Sequence, residues 1–172
     1  GRFCQIMLLS NKTAVITGCN KGIGKKILEI FSKNNSNIFA CVRNIDEEFE
    51  NFVKSLSEKY NNKIIPISLD FENIESVKKA SKDILGHKID IDILVNNAAI
   101  IFTAIFQMTS EEKLKNIFQI NFFSQTIFTQ NILKSIAKGN NGSIIYISSS
   151  AAIDGNEGRS AYASSKASII AQ

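Results

Sequence analysis

The stretch Val15-Ile16-Thr17-Gly18-Cys19-Asn20-Lys21-Gly22-Ile23-Gly24 constrains the fold of this chain more than any other. A short apolar run from Thr13 to Thr17 stops at a glycine. A helical pattern follows, with Ile23, Ile27, Ile30 and Phe31 on one expected face and Lys25, Lys26 and Glu29 off it. The spacing predicts a strand, a tight turn and a helix start. Glycines at the turn let the backbone bend sharply and clear side chains from the path of a bulky ligand. The first N–H groups and the dipole of the new helix then favour a phosphate. The glycine spacing is Gly-x-x-x-Gly-x-Gly, not the commoner Gly-x-Gly-x-x-Gly fingerprint.

Runs of β-branched residues alternate with helical segments along the rest of the chain. Strands are expected at Thr13–Thr17, Asn37–Val42, Lys63–Ser68, Ile91–Asn96 and Ser143–Ser148. Helices are expected at Gly22–Asn34, Asp46–Tyr60, Ile74–Leu85, over a long region Ser110–Ala137, and from Arg159 onward. Turns are expected at Asn140-Asn141-Gly142 and Gly155-Asn156-Glu157-Gly158. Such alternation implies an α/β fold of Rossmann type, a doubly wound parallel sheet with helices on both faces, forming a single dinucleotide-binding domain over residues 1–172. The runs at 93–95 and 144–147 read as strands buried on both sides. In a parallel sheet Gly18, Arg43, Asp70, Asn97 and Ser149 all fall at the carboxyl ends of strands, and hence on one edge.

Composition excludes several functions. The net charge of +4 is spread along the 172 residues with no dense basic block interleaved with aromatics, so nucleic acid is not an expected partner. No apolar run is long enough to span a bilayer, so no membrane partner is expected. Cys4, Cys19 and Cys41 lack metal-ligand spacing and read as reduced thiols of a cytoplasmic protein. The single histidine, His87, rules out a Ser-His-Asp triad and an imidazole-rich metal site, and no metal is expected. Gly1 to Ile6, ahead of Met7, read as residues left from cloning and not as a signal peptide.

The second informative motif is Tyr162-Ala163-Ser164-Ser165-Lys166. On a helix, positions four apart share a face, so phenol and ammonium become neighbours. A free tyrosine, with a pKa of about 10, is a poor acid or base near neutrality; a nearby positive charge favours the phenolate. Tyr162 then suits general acid–base work on a reacting oxygen. Ser149, expected directly after the fifth strand, offers a hydroxyl to a substrate oxygen, and Asn121 sits in a long helix where an amide is an indifferent helix former.

Taken together, Thr17-Gly-x-x-x-Gly-Ile-Gly, Asp70, Asn96-Asn97-Ala98, Asn121, Ser149 and Tyr162-x-x-x-Lys166 resemble the classical short-chain dehydrogenase/reductase family from Asn11 to Gln172. The resemblance implies that Tyr162 is the acid/base, that Lys166 lowers its pKa and holds the nicotinamide ribose, and that Ser149 polarises the carbonyl. It also implies that Asn121 anchors a water in a proton relay through Lys166. Cofactor contacts are implied for Gly18, Asn20, Lys21, Gly22, Ile23, Gly24, Arg43, Asp70, Phe71, Asn97 and Ala98, with Tyr162 and Lys166. Asp70 would meet the adenine, and Asn97 would lie along the adenosine ribose.

A basic residue after the second strand accommodates the 2′-phosphate of NADP, whereas an acidic one binds the ribose hydroxyls of NAD. Arg43 follows that strand and the first carboxylate is Asp46, while Lys21 precedes the second glycine. NADPH is therefore the expected cofactor over NADH. The expected function is reduction of a small-molecule or carrier-bound carbonyl, similar to the ketoacyl reductases of fatty-acid synthesis. The alternative is a non-catalytic nucleotide-binding or regulatory protein of the same fold.

Apolar residues around more than one stripe of the long helix (Ile120, Phe122, Phe123, Ile127, Phe128) predict a homodimer or homotetramer. Two departures from the family stand out. Ala99 replaces the usual glycine of Asn-Asn-Ala-Gly, a mild steric change. Family members also continue beyond the position of Gln172 through further strands and a substrate loop, so a longer native chain is expected.

Overall fold

The computed structural model describes residues 7–138 and 141–172. Cys4, the expected leader Gly1 to Ile6, and Asn140 of one expected turn lie outside the described residues.

Five strands form one parallel sheet: β1 (Thr13–Thr17), β2 (Asn37–Val42), β3 (Ile64–Ser68), β4 (Ile93–Asn96) and β5 (Ser143–Tyr146), in the order β3-β2-β1-β4-β5. Helices α1 (Gly22–Lys33) and α2 (Glu47–Tyr60) cover one face of the sheet, and α3 (Ile74–Gly86) and α5 (Ser124–Ala137) the other; α4 (Glu111–Phe118), the short α6 (Ala151–Asp154) and α7 (Ser160–Ser168) complete the element order. The fold is the doubly wound α/β arrangement expected.

Alternation along the central strands divides the core. Val15, Phe39, Cys41, Ile67 and Leu94 point to one face and pack with Val77, Ile84, Phe128 and Ile132 of α3 and α5. Ala14, Ile16, Ile38, Ala40 and Val95 point to the other and meet Leu28, Phe49, Val53 and Leu56 of α1 and α2. Both faces being covered is why β1 and β2 read as unbroken apolar runs. Asp46 caps α2 through the Phe49 N–H at 2.8 Å, and Asn73 caps α3 through Glu75 and Ser76.

Several expectations need correction. Strand β4 begins at Ile93 and β5 ends at Tyr146, each shorter than expected. Among the described residues β5 is the outer strand, paired only with β4, and Ile144 and Ile145 are 37% and 42% exposed. It is therefore not buried on both sides. The buried face of α1 is Gly24, Leu28 and Ser32, with Ile27 and Phe31 at its margin, while Ile23 and Ile30 point outward. Close packing of Gly24 against Gly18 fixes this rotation. The long helical region is helical throughout, as expected, but not uniformly α-helical. A π-helical segment, Gln119–Phe123, separates α4 from α5 and holds Asn121. The 3₁₀ turn Phe106–Met108 and α6 carry too little periodicity to be read in advance.

Candidate functional site

The site begins where strand order reverses, between β1 and β4. Thr17 Oγ1, at the end of β1, accepts the N–H groups of Asn97 and Ala98, each at 3.0 Å, and donates to the Val95 carbonyl at 3.4 Å. Asn97 Nδ2 returns bonds to the Thr17 and Gly18 carbonyls at 3.0 and 3.2 Å. One hydroxyl and one amide thus lock the two strand ends together. Thr17 has no assigned role in the sequence reading, although a buried hydroxyl at the end of an apolar strand was a usable signal.

The glycines do different jobs. Gly18 has φ +72° and donates its N–H to the Cys41 carbonyl at 2.9 Å. A Cβ on Gly24 would stand 2.1 Å from the Gly18 carbonyl oxygen and 2.4 Å from Asn97 Nδ2, so this position is closed to any side chain. Gly22, at φ +54°, faces open space. Helix α1 starts there with no side-chain cap and no acidic residue in its first turn. Its leading N–H groups therefore lack intrahelical partners and face a cleared volume, which fits an anionic pyrophosphate. Ala99 is exposed, so its methyl displaces no neighbouring chain.

Farther along the same edge, the structure places the residues expected near adenosine. Asp70 Oδ1 accepts the Glu72 N–H at 3.0 Å, and the Asp70 N–H donates to Ser76 Oγ at 3.0 Å, which fixes the turn after β3. Phe71 turns its side chain into the core, edge-on to Phe128 with ring centroids 5.9 Å apart, so any ligand contact at this position runs through its main chain. Arg43 lies exposed past β2, with Nη1 3.7 Å from Glu72 Oε2. Asn20, Lys21 and Lys25 line a cleft of about 260 Å³ together with Asp46, Glu48, Phe49 and Phe52. Cys19 and Cys41 are buried, with thiol pKa values pushed up by that burial, and neither offers reactive chemistry.

The expected catalytic residues gather around α7. Tyr162 is 8% exposed, packed with Ile117, Ala151 and Ala161, and its hydroxyl bonds to no protein group among the described residues. Lys166 is 2% exposed; its Nζ donates to the Ile147 carbonyl, and Ser148 Oγ donates to the Lys166 carbonyl at 2.9 Å. Ser149 lies three residues past β5, not directly after it. Its Oγ accepts the Ala151 N–H at 3.2 Å, leaving the hydroxyl proton free to donate. Asn121 is fully buried. It accepts the Ile100 N–H at 2.9 Å and donates to the Ile100 carbonyl and to Ser165 Oγ at 2.9 and 3.0 Å. Both amide protons are used, so any water on this side chain would rest on a single Oδ1 lone pair. The π-helical turn is what aims this amide across to the strand β4 exit and α7.

A larger cavity of about 470 Å³ lies between the Phe106 turn, α4 and α7, lined by Phe106, Leu114, Phe118, Ala161 and Ser164 among others. Tyr162, Lys166 and Ser149 are not among the residues that line it, whereas Ala161 and Ser164 of the same helix α7 are. Among the described residues no group of three or more metal-binding side chains converges, and no helix is long and apolar enough to cross a membrane.

Burial, with no carboxylate partner among the described residues, lowers the Lys166 pKa to about 8, against 10.5 for the free side chain. Between these values the unfolded chain binds more protons than the folded one, so this group makes stability rise with pH across that window. Below about pH 8 its full penalty is present. Lys166→Met should therefore raise the melting temperature of the cofactor-free protein at pH 7, by roughly 5 °C for a gain of about 2 kcal/mol. Above pH 10.5 the gain should vanish. Thermal scans of both proteins at pH 7 and pH 10.5 test this, and an equal or lower melting temperature for the variant at pH 7 would contradict it.

Comparison with known proteins agrees with this fold. The model of the short chain dehydrogenase family matches residues 12–171. The 3-oxoacyl-(acyl-carrier-protein) reductase of Chlamydia trachomatis is 31% identical over 163 residues, covering 95% of this chain and 65% of that protein. That of Thermotoga maritima is 31% identical over 164 residues, covering 95% and 66%. Among solved structures, L-sorbose reductase from Gluconobacter frateurii, complexed with NADPH and L-sorbose, superposes with a TM-score of 0.90 at 25% identity. That match covers 96% of this chain and 63% of the other. The chain thus spans about two thirds of the length of the relatives it matches. With the parallel sheet, the glycine turn at its switch point and the family match over nearly its whole length, the chain belongs to the short-chain dehydrogenase family of oxidoreductases.

Proposed function

We propose that the protein reduces a ketone, ketoacyl or keto-sugar carbonyl to an alcohol with NADPH. The observation that carries the reading is Lys166. A lysine this buried, with no carboxylate partner among the described residues, is a costly feature, and it lies one helical turn from a buried tyrosine whose hydroxyl has no protein partner. Bound NADPH supplies the hydride. The Tyr162 hydroxyl donates the proton that the carbonyl oxygen takes up, and Ser149 donates a hydrogen bond to the same oxygen. Lys166 keeps two N–H groups beyond its bond to Ile147, for ribose hydroxyls, and its charge favours the tyrosinate left after proton transfer. Asn121 positions α7 through Ser165 and offers one acceptor to a relay water.

On the cofactor side, the uncapped start of α1 takes the pyrophosphate, the Asp70 turn meets the adenine, and Asn97 braces the loop beside the adenosine ribose. Asn20, Ile23 and Ala98 border this path, and the Phe71 main chain adds to the adenine side. Lys21 and Arg43 hold the 2′-phosphate that distinguishes NADP from NAD. Each such charge-assisted contact contributes about 1.5–3 kcal/mol. Titrating the full-length protein by nucleotide fluorescence should show tighter binding of NADPH than of NADH, and Lys21→Gln with Arg43→Gln should remove most of the difference. Equal affinities in the unsubstituted protein would overturn the cofactor assignment.

The substrate-bearing protein assembles as a homodimer or homotetramer in this reading. Ile120 and Phe128 are consumed by the core, whereas Phe123, Leu114 and Leu133 stay 50%, 42% and 44% exposed. Buried, unpaired thiols at Cys19 and Cys41 support a cytoplasmic setting.

A further inference from the structure

The expected phosphate ligand Arg43 is not free. Its guanidinium faces the Glu72 carboxylate, Nη1 to Oε2, at 3.7 Å, with the two side chains 62% and 53% exposed. Both main chains are fixed in place. Ser68 Oγ, at the end of β3, donates to the Arg43 carbonyl at 3.3 Å. The Asp70 carboxylate holds the Glu72 N–H at 3.0 Å, and the Asn73 N–H closes the same turn on the Asp70 carbonyl at 3.2 Å. The turn expected to meet the adenine therefore also presents a carboxylate to the one arginine expected to meet the 2′-phosphate.

We infer that Glu72 is a specificity-setting residue: it tethers Arg43 across the ends of β2 and β3 and so restrains recognition of the 2′-phosphate. This rests on the reading of Arg43 as a phosphate ligand. The Nη1 group that faces Glu72 is withdrawn from bidentate binding at its own edges of the guanidinium, so a phosphate taken there must first displace the carboxylate. An exposed pair at this separation is weak, so the restraint is modest and reversible. NADH carries no 2′-phosphate and does not call on Arg43, so its binding escapes the restraint.

The test uses the full-length protein and fluorescence titration with NADPH and NADH on four proteins: unsubstituted, Glu72→Gln, Arg43→Gln and the double variant. Glu72→Gln should tighten NADPH binding by roughly two- to fivefold, with a much smaller change for NADH. In the Arg43→Gln background the same substitution should have little effect, because no tether remains to release. If Arg43→Gln weakens NADPH binding while Glu72→Gln leaves it unchanged or weaker, the tether is refuted and the phosphate reading survives. If Arg43→Gln leaves NADPH binding unchanged, the phosphate reading itself fails, and the inference with it. A gain from Glu72→Gln that persists undiminished without Arg43 would show simple charge repulsion and would also overturn the tether.

Discussion

Tyr162→Phe should lower kcat by roughly 10²–10⁴-fold while leaving cofactor affinity and fold little changed. The substitution removes one oxygen. That oxygen bonds to no protein group among the described residues, so its loss strands no partner and should alter stability by no more than about 0.5 kcal/mol. The ring keeps its packing against Ile117, Ala151 and Ala161. What disappears is the proton source for the carbonyl oxygen, and Ser149 cannot replace it: a serine hydroxyl donates a hydrogen bond but is too weak an acid to give the proton up. Steady-state kinetics with an active carbonyl substrate, alongside melting curves, separate the two effects. Near-normal kcat in a folded variant would contradict the proposed role.

Gly24→Ala should destabilise the protein by about 3 kcal/mol, lowering its melting temperature by roughly 6–12 °C, and should abolish nucleotide binding. The added methyl would lie 2.1 Å from the Gly18 carbonyl oxygen, 2.4 Å from Asn97 Nδ2 and 2.8 Å from the Gly18 carbonyl carbon. None of these atoms is the loose end of a flexible chain. Gly18 is pinned by its bond to Cys41, and the Asn97 amide is held by two carbonyls. Relief therefore requires α1 to move off the loop, which opens the junction of β1 and β4. Gly22→Ala is the contrasting case. Its methyl meets nothing in the protein, so the cost is about 1 kcal/mol for the positive φ, and the damage falls on ligand approach. A thermal scan showing Gly24→Ala no less stable than Gly22→Ala would contradict this account of the loop.

What could be read from the sequence followed from physical periodicity. Strands β1 and β2 match their expected bounds because each is a short, largely apolar run that stops at Gly18 or at Arg43. The clustering of Gly18, Arg43, Asp70, Asn97 and Ser149 at one sheet edge follows from parallel topology alone. Other features depend on tertiary contacts that no local pattern records. The facing of α1 is set by the contact between Gly24 and Gly18, which turns Ile23 outward despite its apolar character. The π-helical turn at Asn121 exists because that amide satisfies the Ile100 backbone across the fold, and helical spacing around it looks uninterrupted. The pairing of Arg43 with Glu72 joins the ends of two neighbouring strands far apart in sequence. Lys166 is recognisable from its spacing to Tyr162, but its burial without a carboxylate is visible only in three dimensions.

The most direct measurement is transfer of label from the cofactor to the product. The full-length protein is incubated with NADPH deuterated at the transferable position of the nicotinamide and with a panel of ketones, ketoacyl thioesters and keto-sugars. Products are then read by mass spectrometry. Deuterium on the former carbonyl carbon of at least one panel member, absent from the Tyr162→Phe control, is the predicted result. A protein that binds NADPH tightly yet transfers no label to any panel member would contradict carbonyl reduction and leave nucleotide binding alone as its activity.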